Sequence, residues 1–204
     1  MLELSIALPI RVQNGGLFIS RGVGRHPARK LSSWEIIFVE KGTLTIQEEN
    51  TLFEVNAGES LLLWPKRRHV GVEDFPGDLK FYWLHFEVDE RLPVLPGATP
   101  LSIEQHCSVR DPQYVIALFR QFLSEQEKLQ RSQALEIILL LILQQISLSP
   151  GYEDKADDAG AAMAWKAKQL IRTHFHLPLS TSQLAKELHC NADYLGRVFR
   201  RTFH

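Results

Sequence analysis

Ala164 to Phe203 reads AWKAKQLIRTHFHLPLSTSQLAKELHCNADYLGRVFRRTF, with the punctuation of three short helices and two breaks. Ala167, Leu170, Ile171 and Phe175 recur at helical spacing and share one face. Pro178, inside Leu177-Pro178-Leu179-Ser180, ends that run because proline lacks the amide hydrogen a helix needs. A second helix carries Leu184, Ala185 and Leu188. Ser180 and Thr181 are both cap candidates, and Ser180-x-x-Gln183 has the spacing of a capping box. His189-Cys190-Asn191 forms the turn to a third helix, with Asn191 as its N-cap. That helix holds Tyr194, Leu195, Val198 and Phe199 inward and Arg197, Arg200 and Arg201 outward. Two short helices about a tight turn, the second basic on its outer face, make a helix-turn-helix.

Leu184-Ala185, Leu188 and Asn191-x-x-Tyr194-Leu195-x-Arg197-x-Phe199-Arg200-Arg201 resemble the first helix-turn-helix of the AraC family of bacterial transcription regulators. Members of that family carry two such motifs bridged by a long helix. This chain reaches Phe203-His204 where the family has a Gly and then its second half, so the resemblance covers an incomplete reader, 161–204.

Charge agrees with this division. From Ala161 onward seven Lys and Arg stand against two Asp and Glu, a net +5, which leaves −6 on the preceding part of a chain whose total is −1. A basic module on an acidic body suits a DNA-binding unit attached to a sensor. Outward residues in the first half of a recognition helix are the ones that reach base edges. Asp193 and Arg197 lie there, and an arginine can bind guanine through two hydrogen bonds or pair with phosphate instead. Asp193 also suits the positive end of the helix dipole, with Asn191 beside it as cap. Lys186, Arg200 and Arg201 are read as phosphate contacts, which position without specifying.

Upstream, residues 1–110 read as all-β. Strand-like runs recur at Leu17–Ser20, Trp34–Glu40, Thr43–Glu48, Leu52–Val55, Ser60–Trp64, His69–Val72 and Lys80–Val88, with Leu101-Ser102-Ile103 as a last strand. Gly42, Gly58, Pro65, Gly71 and Gly77 punctuate them, the spacing of a barrel or sandwich. Gly42 sits where a hairpin calls for positive φ, and Asn56-Ala57-Gly58-Glu59 is a second turn. The order Gly42, Gly58-Glu59, Leu61-Leu62-Leu63, Pro65, His69 resembles the cupin-type sensor domain of AraC regulators, with Glu59 where that family has Asp.

Small barrels can hold one small ligand. Alternation puts Phe81, Trp83 and His85 on one face of their strand and Tyr82, Leu84 and Phe86 on the other. By resemblance to sugar-responsive members, the first set faces the pocket, with His69 at its rim. Glu35, a carboxylate amid Trp34, Ile36, Ile37 and Phe38, needs a partner if it points inward, and a polyol hydroxyl is one candidate. Each of these residues also has a plain role open to it, as core or as solvated strand face. Enzymatic cupins gather a metal on a His-x-His pair, a Glu and a later His. Trp34–Val55 contains no His, His69 alone fills such a position, and His26 and His85 fall outside the pattern. The expectation is therefore no metal, no cofactor and no enzyme.

Pro112 opens a change of period: Tyr114, Val115, Leu118, Phe119, Phe122 and Leu123 recur at helical spacing. Gln133–Leu148 follows as a second helix with Leu135, Ile138, Leu139, Ile142, Leu143 and Ile146 in a stripe, widened by Leu140 and Leu141. Periodicity alone leaves open a self-contained helix hairpin or a subunit contact. The family resemblance implies a homodimer through 111–148. Residues 149–160 are polar and acidic, with Pro150 and Gly151, and read as a linker.

The expected architecture is thus α+β: a cupin-like barrel over 1–110, a helical dimerisation pair, and an all-α, incomplete helix-turn-helix. Cys107 and Cys190 make neither a disulfide framework nor a CxxC metal site. No run of apolar residues is long enough to span a membrane, so a cytoplasmic location is the default. The expected partners are DNA, a small-molecule effector such as a sugar, a second copy of the chain and RNA polymerase. A stand-alone sensor that pairs with a full-length partner without binding DNA itself is the alternative.

Overall fold

The computed structural model describes residues 1–3, 6–89, 91, 100–148, 159–174 and 177–203. The chain divides into two compact units, Met1–Pro150 and Gly151–His204.

Among the described residues, the first unit holds nine strands in two antiparallel sheets and two helices. The strands are β1 (Ile10–Ile19), β2 (Arg29–Lys30), β3 (Trp34–Lys41), β4 (Thr43–Glu48), β5 (Thr51–Asn56), β6 (Glu59–Leu63), β7 (Arg68–Gly71), β8 (Lys80–Val88) and β9 (His106–Ser108). One sheet runs β1-β8-β3-β6-β9 and the other β2-β7-β4-β5. Helices α1 (Pro112–Gln126) and α2 (Ala134–Ser147) follow.

Two hydrophobic cores explain the layering. Ile37, Val39, Leu61, Leu63 and Phe81 of the larger sheet meet Leu44, Ile46 and Val55 of the smaller, filling the barrel. Ile36, Phe38, Leu62, Tyr82, Leu84 and Phe86 point the other way and pack under Val115, Phe119 and Phe122 of α1 and Leu135, Leu139 and Ile142 of α2. The central strands are covered on both faces, so β3 reads as continuous apolar sequence rather than an alternation. Tight turns set the register. Gly42 has φ 75° and lies so close to Leu79 that a Cβ would come within 3.0 Å of its Cα. Gly58 (φ 86°) closes the Asn56–Glu59 turn, where the Glu59 carboxylate accepts the Asn56 amide at 2.8 Å.

Most expected elements appear, with three corrections. Leu101-Ser102-Ile103 forms no strand; the last strand is His106–Ser108, paired with β6. The first strand starts at Ile10 rather than Leu17, because Gly15 and Gly16, which carry no strand signal, sit inside it. A Cβ on Gly15 would fall 2.8 Å from Phe122, so α1 packs directly over that backbone. Tyr114 does not join the apolar face of α1; it is exposed, and Ile116 is buried instead.

The second unit contains α3 (Ala159–Thr173), α4 (Thr181–Glu187) and α5 (Ala192–Phe203). Ala164, Ala167, Leu184, Ala185, Leu195 and Val198 form its core. Ser180 caps α4 in a full capping box with Gln183. Asn191 Oδ1 accepts the amides of Asp193 (2.8 Å) and Tyr194 (3.1 Å), capping α5. The helix α3 opens at Ala159, within the stretch read as linker; the remainder, 149–158, and the core candidate Phe175 lie outside the described residues.

Candidate functional site

Inside the barrel, β8 presents Phe81, Trp83 and His85 to the interior, as alternation requires. Glu35 stands directly across from His85 in the β3–β8 register. From the smaller sheet, β7 supplies His69, paired with Arg29 of β2. The loop before β2 brings in His26, whose ring centroid lies 5.3 Å from that of His69. Gly71 permits this approach: its amide donates to the His26 carbonyl at 2.9 Å, and a Cβ there would fall 2.6 Å from His26 N.

Glu35, His26, His69 and His85 are all buried. Glu35 Oε2 lies 3.8 Å from His69 Nε2, and Glu35 Oε1 3.8 Å from His85 Nε2. His85 Nδ1 is 3.3 Å from Ser33 Oγ, and His26 Nδ1 is 3.0 Å from the Pro27 carbonyl, to which it donates. Burial pushes the Glu35 carboxyl up to about 7, against the opposing pull of the Arg29 charge. Burial pushes His26 and His69 down to about 4, helped by Arg29 and, for His26, by His69 as well. His85 is shifted down for the same reasons, burial first and Arg29 second. The imidazoles are therefore neutral at neutral pH, with lone pairs available to a ligand.

A cavity of about 170 Å³ opens beside this cluster, lined by Phe18, His26, Pro27, Arg29, Glu35, Phe75, Phe81 and Trp83. Phe18, Phe75 and Phe81 pack against one another as tilted rings at centroid separations of 4.6 to 6.5 Å. The five barrel residues singled out in the sequence thus converge: Glu35, Phe81 and Trp83 line the cavity, and His69 and His85 lie against Glu35. His69 is buried at 2% exposure rather than placed at a rim. His26 and His85, which fall outside the enzymatic-cupin pattern in the sequence, are gathered by the fold with His69 around the Glu35 carboxylate. Arg29, Phe18 and Phe75 were missed. Gly71 was the one local signal for His26, since a strand glycine marks close backbone approach.

In the second unit Lys186, Asn191, Asp193, Arg197, Arg200 and Arg201 are all solvent-exposed. Asp193 lies in the first turn of α5 and Arg200 and Arg201 in its last. Arg197 and Arg201 are one turn apart on one face.

Residues 20–143 match the family described as the AraC-like ligand binding domain. A relative, the uncharacterized HTH-type transcriptional regulator YisR of Bacillus subtilis (strain 168), is 26% identical over 213 residues, covering 91% of this chain and 72% of that protein. Among solved structures, unsaturated fatty acid-bound ToxT from Vibrio cholerae strain SCE256 aligns with 95% of this chain and 73% of its own, at 13% identity and a TM-score of 0.38. The plu4264 protein from Photorhabdus luminescens aligns with 38% of this chain at 20% identity and a TM-score of 0.32, and this chain spans 62% of its length. No described helix is long and apolar enough to cross a membrane. With the family match covering more than half of its length, this chain belongs to the AraC-type family of ligand-binding transcription regulators.

Proposed function

We infer that this chain is an effector-responsive DNA-binding regulator whose effector occupies the barrel cavity. The observation that carries this reading is the composition of the cavity wall. Phe18, Phe75, Phe81 and Trp83 supply apolar faces, while Glu35, His26 and Arg29 supply convergent polar groups. Wide apolar walls with a few fixed polar groups are the usual make-up of a small-molecule site. The volume of about 170 Å³ sets the scale at a molecule no larger than a monosaccharide. A sugar suits it chemically, since its C–H faces pack on aromatic rings and its hydroxyls pair with Glu35 and the imidazoles. The same groups act as sensor rather than catalyst here.

The DNA contact is assigned to α5 and the end of α4, with Arg197 and Asp193 of α5 toward base edges and Lys186 of α4 and Arg200 and Arg201 of α5 toward phosphates, the division general for recognition helices. Dimerisation is assigned to the outer face of α2, where Ile137 and Leu141 stand 43% and 41% exposed one turn apart. Effector binding shifts the population between arrangements of the paired sensors, and so the spacing of the DNA contacts.

The test is fluorescence anisotropy of this 204-residue chain with promoter fragments from its own locus, at two salt concentrations, with and without a panel of monosaccharides. Salt-sensitive, sequence-selective binding that one sugar alters, together with loss of that response in Trp83→Ala, is the expected result. DNA binding indifferent to every small molecule, or a response unchanged in Trp83→Ala, would overturn the assignment.

A further inference from the structure

We propose that the barrel binds one divalent transition-metal ion of the zinc class through His26, Glu35 and His69, with His85 as a further donor. The proposal shares the cavity of the effector site but does not need the effector.

The geometry comes first. One ligand-type atom from each of His26, Glu35 and His69 lies within 4.8 Å of the other two. The carboxylate divides its oxygens, Oε2 toward His69 Nε2 and Oε1 toward His85 Nε2, each at 3.8 Å. That distance is too long for a hydrogen bond. Ligands about 2.0–2.1 Å from a tetrahedral zinc stand about 3.3 Å from one another, so a small contraction closes these pairs around an ion.

The second observation is unmet hydrogen bonding. Glu35 Oε2 and both ring nitrogens of His69 are buried without a hydrogen-bond partner. Among the described residues only Glu40 Oε2 shares that condition. Buried polar atoms are rarely left so, and a local cluster of them calls for an absent partner. A cation satisfies the carboxylate oxygen and an imidazole lone pair at once, which no single protein donor in the cavity does.

The third is how the histidines are held. His26 Nδ1 donates to the Pro27 carbonyl, leaving Nε2 with its lone pair. His85 Nδ1 rests against Ser33 Oγ, leaving Nε2 toward Glu35. Metal-binding histidines are characteristically oriented through their second ring nitrogen in this way. Imidazoles with one carboxylate select zinc, iron(II), cobalt or nickel over magnesium and calcium, which prefer all-oxygen sets. Arg29 lines the cavity and opposes a cation there, but it is exposed to solvent and screened, whereas Glu35 is buried at the ion's position.

The experiment uses the full chain, stripped with a chelator and titrated with Co2+ as the probe. The expected result is a strong visible absorption of low-symmetry cobalt saturating at one ion per chain, displaced by Zn2+, with matching stoichiometry by elemental analysis. His69→Gln, His26→Gln and Glu35→Gln each weaken Co2+ binding by at least the roughly 10–100-fold that loss of a supporting outer-shell partner costs. His106→Gln and His174→Gln, outside the cluster, leave it unchanged. Circular dichroism and thermal melting confirm that each variant is folded; the wild-type titration stands whatever the variants do. A spectrum no different from aqueous cobalt, or one-ion binding that survives His69→Gln in a folded protein, would overturn the proposal. Sugar-dependent DNA binding is measured on the same stripped chain. A sugar response without any cobalt signal overturns the metal alone, and cobalt binding without any sugar response supports the metal while removing the effector reading.

Discussion

Glu35 Oε2 and His69 Nε2 face each other across the barrel at 3.8 Å, and neither has a hydrogen-bond partner. The two residues come from opposite sheets, β3 and β7. Leaving a buried polar group unsatisfied costs about 1–3 kcal/mol, whereas replacing both partners by apolar groups of similar shape can be neutral or stabilising. In metal-free solution the double variant Glu35→Met/His69→Leu is therefore expected to unfold at a urea concentration equal to or above that of the parent. A double variant less stable than the parent by more than 2 kcal/mol (about the middle of that range) would show that the pair holds the fold together.

Gly16 lies under the indole of Trp83, its partner in the β1–β8 register. A methyl group there would fall 2.7 Å from Trp83 Cε2 and Cζ2. Gly16→Ala is expected to displace the indole and to cost about 1–3 kcal/mol, as overpacking generally does. Fluorescence against a Trp83→Phe background isolates this indole from Trp34, Trp64 and Trp165. Unaltered Trp83 emission together with unaltered stability would contradict the close packing.

The Glu59 carboxylate ties the β5–β6 turn to β9, accepting from the Asn56 amide (2.8 Å) and Ser108 Oγ (3.4 Å) and meeting His106 Nε2 at 3.0 Å. Partial burial pushes its pKa up, but these contacts prevail and hold it below the ordinary 4.5. A carboxyl depressed in the folded state adds stability that is fully present above its unfolded value and lost as pH falls through the folded one. Stability of the parent should therefore drop on acidification below about 4.5 more steeply than that of Glu59→Gln. Urea midpoints from neutral pH down to strongly acid pH check this, and parallel curves would count against it.

Ile137 and Leu141 leave an apolar stripe on the outer face of α2, while Ile138, Leu139 and Ile142 are buried on the other. Ile137→Asp/Leu141→Asp is expected to convert a dimer to monomer in sedimentation velocity without lowering the melting temperature of the isolated subunit, because neither side chain is in the core. A parent chain that is monomeric at every concentration tested would remove the dimer assignment.

Arg197→Ala is expected to cost about 1–3 kcal/mol in binding to its own operator and to relax selectivity at one base pair. Lys186→Ala and Arg200→Ala should weaken binding nearly equally on all sequences and lower the salt dependence by about one ion each. Anisotropy at several salt concentrations separates the two patterns. Identical behaviour of the three variants would assign Arg197 to phosphate.

Period and punctuation were enough, in the sequence by itself, to place most strands, both helices of the first unit and the capped helices of the second. These are local properties: φ at Gly42, the Ser180–Gln183 box and the Asn191 cap depend on residues a few places apart. Alternation also sorted Phe81, Trp83 and His85 from Tyr82, Leu84 and Phe86, because a pleated strand admits only two faces. What alternation cannot give is which strand lies opposite. The meeting of His26, Glu35, His69 and His85 depends on the pairing of β3 with β8, on the smaller sheet closing over the larger, and on Gly71 letting a loop approach. Such contacts join residues tens of positions apart, and only packing decides them. For that reason the histidines that look scattered along the chain form one buried cluster in the folded barrel.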